Sequence, residues 1–165
     1  KSGISIQQPF VDLPPYPLGR VSDQPTRLND LLDSALQDLL VDAQLSPSPN
    51  AVWGVAVGSS RGYQAELEAL AHHWHGHRTN PSASEWMLSY GQSPASQVAQ
   101  RIQVCGPIVS PRAACATGLW AIAQGVELIR TDQCDVVVAG AADAPITPLT
   151  LAGFERMAAL AHDGA

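Results

Sequence analysis

The residue with the clearest capacity for chemistry is Cys115, which lies in the sequence RAACATG at residues 112–118. A short apolar run at 108–109 precedes it and an apolar helical stretch follows, so the cysteine falls where a strand gives way to a helix. Unpaired N–H groups in the first turn of a helix favour a thiolate and can bind an oxyanion. The small neighbouring residues suit a sharp turn that an acyl group can approach closely. The pattern predicts a nucleophilic thiol, and the alternative is an inert, buried cysteine.

A second candidate site is the histidine cluster HHWHGH at residues 72–77. Neutral imidazoles bind zinc and copper, and His73 and His77 have the spacing of two ligands on one helix face. Gly76 argues against a continuous helix, and no Cys, Asp or Glu within the cluster completes a ligand set. We therefore expect a polar surface turn, no metal and no cofactor, and keep a small His-rich metal-binding module as the less favoured alternative.

Composition excludes several classes of partner. The 165 residues suffice for one domain with a hydrophobic core. The chain has 15 acidic and nine basic side chains, so it lacks the excess of positive charge that binding to nucleic acid requires. Three irregularly spaced cysteines predict free thiols in a reducing compartment. No apolar run is long enough to span a bilayer, and the amino terminus lacks the layout of a signal peptide. We expect a cytoplasmic protein that binds neither nucleic acid nor membrane.

The order of the predicted elements indicates a layered α/β fold. Residues 1–25 are rich in proline and glycine and predict an extended surface arm, whereas the leucines of 26–45 recur at three and four and predict an amphipathic helix. The helix at 116–130 has almost no polar face, so we expect it to be mostly buried. Strands alternating with helices predict a parallel sheet, with the loop at 141–148 in the usual position for substrate. Strands are predicted at 51–57, 108–110 and 135–140, and the other helices at 64–74, 93–103 and 149–160.

Several motifs occur in a fixed order along the chain. Gly106-Pro107 precedes ACATG at 114–118, DVVVAG follows at 135–140, and PITPL at 145–149 leads to Gly153-Phe154. In this order the motifs resemble those of the β-ketoacyl-acyl-carrier-protein synthases, the elongating condensing enzymes of the thiolase superfamily. The resemblance implies an α/β, layered thiolase-like fold with a mainly parallel sheet covered by helices. It also implies that residues 1–165 are a partial amino-terminal half of a ketoacyl synthase domain, without the first strand and the whole carboxyl-terminal half.

The chemistry implied by the resemblance is a decarboxylative Claisen condensation in fatty acid or polyketide synthesis. Cys115 matches the family's nucleophile, which takes an acyl chain from a carrier thioester before malonyl-carrier protein is decarboxylated and attacks it. The implied partners are acyl carrier protein, with phosphopantetheine-bound acyl and malonyl groups, and a second copy of the chain through residues 108–111. The family's two catalytic histidines, its lysine and its second oxyanion donor match no residue here, so the resemblance implies that this piece alone is inactive.

Two further residues match positions that contact substrate in the family. Phe154 corresponds to a residue lining the acyl pocket, with an ordinary core phenylalanine as the alternative. Arg61 corresponds to an apolar chain-length gate, and an arginine there predicts either a shifted loop or unusual acyl selectivity. The family's Gly-Gly-x-Glu reads Gly140-Ala141-Ala142-Asp143, which indicates a divergent branch. A non-catalytic, chain-length-determining partner of a ketosynthase remains an alternative, although such partners usually lack the cysteine.

Overall fold

The computed structural model of the chain describes residues 4–21, 26–77, 82 and 93–161. The chain divides into a smaller unit, formed by Lys1–Thr26 with Pro145–Ala165, and a larger unit, Arg27–Ala144. Within the described residues the elements are β1 (Ile4–Gln7), β2 (Tyr16–Gly19), α1 (Leu28–Ala43), β3 (Trp53–Gly58), α2 (Gln64–His77), α3 (Pro94–Ile102), β4 (Ile108–Val109), a 3-10 turn (Ala114–Ala116), α4 (Thr117–Arg130), β5 (Val136–Ala141) and α5 (Pro148–Arg156).

The larger unit is built on a three-stranded parallel sheet in the order β4-β3-β5. Val55 in the central strand lies opposite Ile108 on one side and Val138 on the other. Every residue of β3 is buried, as expected for the central strand of a parallel sheet covered on both faces. The predicted α/β class and parallel sheet are therefore confirmed.

Side chains alternate between the two faces of this sheet. Val55 and Val57 join the apolar cluster that includes buried side chains of α1 and α3. On the other face, a Cβ placed on Gly125 of α4 would lie 3.0 Å from the Cβ of Ala139 and 3.8 Å from that of Ala56. Helices thus cover both faces of β3, and a glycine allows α4 to lie close against the sheet.

The predicted helices are present, with ends set by local contacts. The helix predicted at 26–45 is α1, which ends where Gln44 adopts a left-handed conformation and its N–H bonds back to Leu40 and Val41. Ser93 caps α3 by accepting a hydrogen bond from the Ser96 N–H at 3.1 Å.

The surface arm predicted at residues 1–25 is wrong in part. Strands β1 and β2 form an antiparallel pair, and Tyr16 and Leu18 are buried in a cluster with Leu151. Alternation explains the difference, because β2 turns these two side chains inward while Pro17 lies between them. The prolines exclude a helix but not an edge strand.

Two predictions about helices also need correction. Helix α2 continues through Gly76 to His77, because Gly76 occupies open space and a helical glycine costs only about 1 kcal/mol relative to alanine. Helix α4 is not mostly buried: it packs on β3 and β5 along one face, and Leu119 is 74% exposed. None of the helices in the described part of the chain has the length and apolarity needed to cross a membrane.

Candidate active site

Cys115 lies in the turn that joins β4 to α4 and is exposed to solvent. It occupies the 3-10 turn Ala114–Ala116 immediately before the α-helix, close to the predicted first helical turn. The preceding residue, Ala114, has a φ of 48°. This left-handed conformation costs an alanine about 1–2 kcal/mol, so the sharp turn expected from the sequence is present and strained.

The side chain of Thr117 braces this turn. Its Oγ1 accepts a hydrogen bond from the Ala113 N–H at 2.9 Å and donates one to the Ala114 carbonyl at 2.7 Å. Thr117 is buried, and both bonds are partly buried because their partners are more exposed. The hydroxyl satisfies polar groups on both sides of the strained residue and thereby fixes the backbone that presents Cys115.

The end of β3 packs directly against the same turn. A Cβ placed on Gly58 would lie 2.5 Å from the Thr117 Cγ2 and would overlap the carbonyl oxygen of Pro111. On the same side, the Ser110 hydroxyl donates to the Val57 carbonyl at 3.0 Å. Only glycine at position 58 allows the strand and the turn that carries Cys115 to come this close.

A carboxylate at the end of β5 holds the loop that follows β3. Oδ1 of Asp143 accepts hydrogen bonds from the Ser59 hydroxyl at 2.6 Å and the Arg61 N–H at 3.0 Å. Oδ2 accepts from the Ser60 hydroxyl at 2.9 Å and from the Ser60 N–H at 3.3 Å. Ser59 also accepts from the Gly62 N–H at 2.8 Å, which closes the loop. We call residues 59–62 the Asp143 loop.

These bonds determine the charge of Asp143. Burial by itself would raise the pKa of this carboxyl group. Hydrogen bonds from Ser59, Arg61 and Ser60 favour the ionised form and hold the pKa of Asp143 below its usual value. Asp143 is therefore a carboxylate at neutral pH.

The structure brings Arg61 to the edge of the sheet that carries Cys115. The Asp143 loop continues to Gly62, whose φ is 61° and where a Cβ would lie 3.2 Å from a guanidinium nitrogen of Arg112. Arg112 is three residues before Cys115 in the same turn. Arg61 and Arg112 thus belong to neighbouring segments, of which the second also carries the candidate nucleophile; the sequence pointed only to Arg61.

Phe154, the other predicted substrate residue, is in α5 of the smaller unit and is partly buried there. Helix α5 begins with a capped turn, because Thr147 accepts a hydrogen bond from the Thr150 N–H at 3.2 Å. The pocket role of Phe154 stays a prediction.

The histidine cluster lies on α2. The side chains of His72, His73 and His75 are exposed, while those of His77 and His162 lie outside the described residues. Among the side chains that the structure describes, no group of three or more His, Cys, Asp or Glu residues is arranged to hold a metal ion.

The two remaining cysteines differ in environment. Cys105 is exposed like Cys115, whereas Cys134 is buried, and all three thiols are free. Burial, reinforced by the negative charge of Asp135, raises the pKa of the Cys134 thiol. Cys134 is therefore suited to a packing role, and it lies where a Cβ on Gly54 would meet its sulfur at 2.5 Å.

Comparison with known proteins identifies the family. The family model of the β-ketoacyl synthase N-terminal domain matches residues 20–165, which include the turn with Cys115, the Asp143 loop and Phe154. This chain belongs to the β-ketoacyl synthase family. The chain is 30% identical over 148 residues to the tetracenomycin polyketide synthase ketoacyl synthase alpha subunit of Streptomyces glaucescens, covering 81% of this chain and 33% of that protein. It is 38% identical over 69 residues to nodulation protein E of Rhizobium meliloti, covering 42% of this chain and 17% of that protein.

Solved ketosynthases share the fold. A ketosynthase bound to a hexaketide, in complex with its type II polyketide acyl-carrier protein, superposes with a TM-score of 0.71 and 23% identity over 81% of this chain and 35% of that one. The oxazolomycin ketosynthase domain of Streptomyces albus gives a TM-score of 0.62 and 22% identity over 79% of this chain and 22% of that one. The thiolase-like fold expected from the motifs is therefore confirmed as a partial one. The β-ketoacyl synthase chain described here spans about a third of the length of its first curated relatives.

Sequence reasoning missed the roles of Asp143 and Thr117. Asp143 stands in the sequence only as a departure from the family's glutamate, yet it comes two residues after the end of β5, and Ser59 and Ser60 directly follow β3. Because parallel strands place their carboxyl ends at one edge, this pattern contained the signal for the contact. For Thr117 the signal was weaker, since a threonine at the start of a helix usually indicates an ordinary cap.

Proposed function

We propose that this chain supplies the nucleophile of a β-ketoacyl synthase that condenses acyl chains in polyketide synthesis. The observation that carries the proposal is the exposed Cys115 in a strained, braced turn between a strand and a helix, within the region that matches the family. A thiolate attacks thioesters readily and also leaves readily, which suits a group that must be acylated and then released.

The reaction proceeds in two transfers. The Cys115 thiolate attacks the carbonyl carbon of a carrier-bound acyl thioester; the carbon–sulfur bond to the carrier breaks and the carrier thiol leaves. Malonyl-carrier protein then loses carbon dioxide, and the resulting carbanion attacks the acyl carbon on Cys115. A carbon–carbon bond forms, the Cys115 thiolate is released, and the β-ketoacyl product remains on the carrier.

The Cys115 backbone N–H would stabilise the tetrahedral intermediate as one oxyanion donor. Removing such a donor typically slows acyl transfer by about 100–1000-fold. The strained conformation of Ala114 and the bonds from Thr117 support this role, because they orient the backbone before substrate arrives. Phe154 and Arg61 would contact the acyl chain, as the family resemblance implies.

An acyl carrier protein is the proposed donor of the acyl and malonyl groups. The similar ketosynthase solved with its type II polyketide acyl-carrier protein supports this partner. We place the reaction in polyketide rather than fatty acid synthesis because a relative that matches 81% of this chain is named as a polyketide synthase subunit.

The chain also has surfaces that favour association. Strand β4 lies at one edge of the three-stranded sheet and Ile108 is 45% exposed, which supports a homodimer formed through residues 108–111. On α4, Trp120, Ile122 and Val126 are large apolar side chains left exposed within the described residues. This face supports the view that residues 1–165 act as part of a larger protein and are inactive as a separate piece.

The test is acylation of Cys115 in the full-length protein. An octanoyl thioester of N-acetylcysteamine should add one acyl group, located on Cys115 by peptide mass analysis. Cys105 is the internal control, because it is also exposed to solvent but lies outside the turn before α4. Cys115→Ala should abolish both acylation and condensation with malonyl-carrier protein. Equal acylation of Cys105 and Cys115 would refute the proposed nucleophile.

A further inference from the structure

The carboxylate of Asp143 joins two loops at the edge of the sheet that carries Cys115. We propose that Asp143 is a positioning residue that sets the acyl selectivity of the Cys115 site by fixing the loop that bears Arg61. The inference rests on the proposed function, since it assigns a specificity role within the same site.

Both oxygens of Asp143 are fully engaged. Oδ1 accepts hydrogen bonds from the Ser59 hydroxyl at 2.6 Å and the Arg61 N–H at 3.0 Å. Oδ2 accepts hydrogen bonds from the Ser60 hydroxyl at 2.9 Å and the Ser60 N–H at 3.3 Å. Four donors around one carboxylate fix both the side chain and the loop. The first of these bonds joins residues 84 positions apart in sequence, so it extends the pairing of β3 and β5 into the loops that follow the two strands.

The Asp143 loop also lies close to the turn that presents Cys115. The loop begins after Gly58, where a Cβ atom would meet Thr117 and Pro111 of that turn. It ends at Gly62, where a Cβ atom would lie 3.2 Å from the Arg112 guanidinium. The Ala142 N–H donates to the Gly58 carbonyl at 3.2 Å, which anchors the chain just before Asp143 to the same strand end. A change in Asp143 therefore moves Arg61 relative to the nucleophile.

The donor pattern requires a carboxylate rather than an amide. Serine hydroxyls can turn to accept a hydrogen bond, but the backbone N–H groups of Ser60 and Arg61 can only donate. An asparagine has one acceptor oxygen and must direct its NH₂ group at one of these two N–H groups. Asp143→Asn thus removes at least one backbone bond while keeping the size of the side chain.

Asp135, at the opposite end of β5, offers a matched control. Its Oδ2 accepts a hydrogen bond from the Val52 N–H at 2.7 Å, just before β3 begins. Asp135→Asn removes the same charge beside the same two strands, at the edge away from Cys115, but its amide oxygen can still accept the single Val52 N–H. The control therefore separates loss of a negative charge from loss of a backbone hydrogen bond.

The experiment compares the full-length wild-type, Asp143→Asn and Asp135→Asn proteins. Second-order rate constants for Cys115 acylation are measured with acetyl and decanoyl thioesters of N-acetylcysteamine, and amide hydrogen exchange is measured at Ser60 and Arg61. Asp143→Asn should change the decanoyl-to-acetyl ratio by about threefold or more. It should also accelerate exchange by about tenfold at whichever of the two amides loses its hydrogen bond to the charged acceptor. Asp135→Asn should leave both the ratio and the exchange unchanged.

A second comparison tests whether the effect passes through Arg61. Arg61→Ala should change the acyl ratio in the wild-type protein and change it less in the Asp143→Asn protein, because the arginine is no longer held in place there. Unchanged amide exchange, an unchanged ratio in Asp143→Asn, or equal effects in the two aspartate variants would overturn the positioning role. A wild-type protein that is not acylated at Cys115 at all would instead refute the proposed function, and the selectivity role with it.

Discussion

Replacing Thr117 with valine tests whether the brace beneath Cys115 matters for catalysis. Valine has the shape of threonine without its hydroxyl, so the substitution leaves the Ala113 N–H and the Ala114 carbonyl without their partner. Each buried polar group left unsatisfied costs about 1–3 kcal/mol, and because both bonds are only partly buried we expect a total of about 2–3 kcal/mol. For a domain of this size such a loss lowers Tm by roughly 4–12 °C.

The loss of these two hydrogen bonds should also slow the acylation of Cys115. Ala114 is held at a φ of 48° next to the proposed nucleophile, and without the two bonds its backbone can relax toward an ordinary conformation. A displacement of about 1 Å in a reacting group lowers rates by up to about 100-fold, so acylation of Cys115 by a thioester should slow by about 10–100-fold.

Thr117→Ser is the matched control. It keeps both hydrogen bonds and removes only the Cγ2 methyl group, which packs near Gly58. We expect a modest loss of about 1 kcal/mol and an acylation rate close to that of the wild type. The reasoning is refuted if Thr117→Val unfolds at the wild-type temperature, or if serine and valine slow acylation equally.

Three further predictions follow from neighbouring contacts. Gly58→Ala should destabilise the protein by about 1–3 kcal/mol in urea unfolding, because the new methyl group meets Pro111 and Thr117. Gly140→Ala should be tolerated, since no atom lies within 4 Å of its Cβ position. Equal urea midpoints for the two variants would contradict this prediction. In the folded protein iodoacetamide should label Cys134 far more slowly than Cys115, because burial both shields its thiol and raises its pKa; similar rates would show that Cys134 is accessible. Since hydrogen bonds hold the pKa of Asp143 below its unfolded value of about 3.8, its stabilisation is present above that pH and disappears as the pH falls through the folded value. The difference in urea midpoint between wild type and Asp143→Asn should therefore be constant near neutral pH and shrink below about pH 4, and a difference that persists there would exclude ionisation as its source.

The sequence allowed the sheet and the sharp turn at Cys115 to be predicted because both have short-range signals. The apolar run of β5 and the small residues around Cys115 are contiguous, so their pattern alone indicates a buried strand and a sharp turn. The burial of Tyr16 and Leu18 was missed because prolines nearby obscured a four-residue strand. The exposure of α4 was missed for a different reason, since an apolar helix indicates burial without indicating what covers it.

Helix α2 shows why the histidine cluster was hard to interpret. Gly76 lowers helix propensity by about 1 kcal/mol, and the sequence therefore predicts that the helix ends before it. The structure continues the helix to His77, so propensity at one residue did not outweigh the rest of the segment. His73 and His77 therefore have true helical spacing, but spacing alone does not supply the further ligands that a zinc site needs.

The two parts of the candidate site are specified over very different distances in sequence. The turn at Cys115 is held by hydrogen bonds with Thr117, which is only two residues away. These contacts lie within one short motif of the sequence. The Asp143 loop is held by a carboxylate more than 80 residues away, and its geometry depends on β3 and β5 being paired correctly. Substitutions near Asp143 are therefore expected to alter the environment of Arg61 while leaving the turn at Cys115 in place. Under the proposed roles, a local contact at Thr117 supports the reactivity of Cys115 and a long-range contact at Asp143 supports acyl selectivity, so separate substitutions should change the two properties independently.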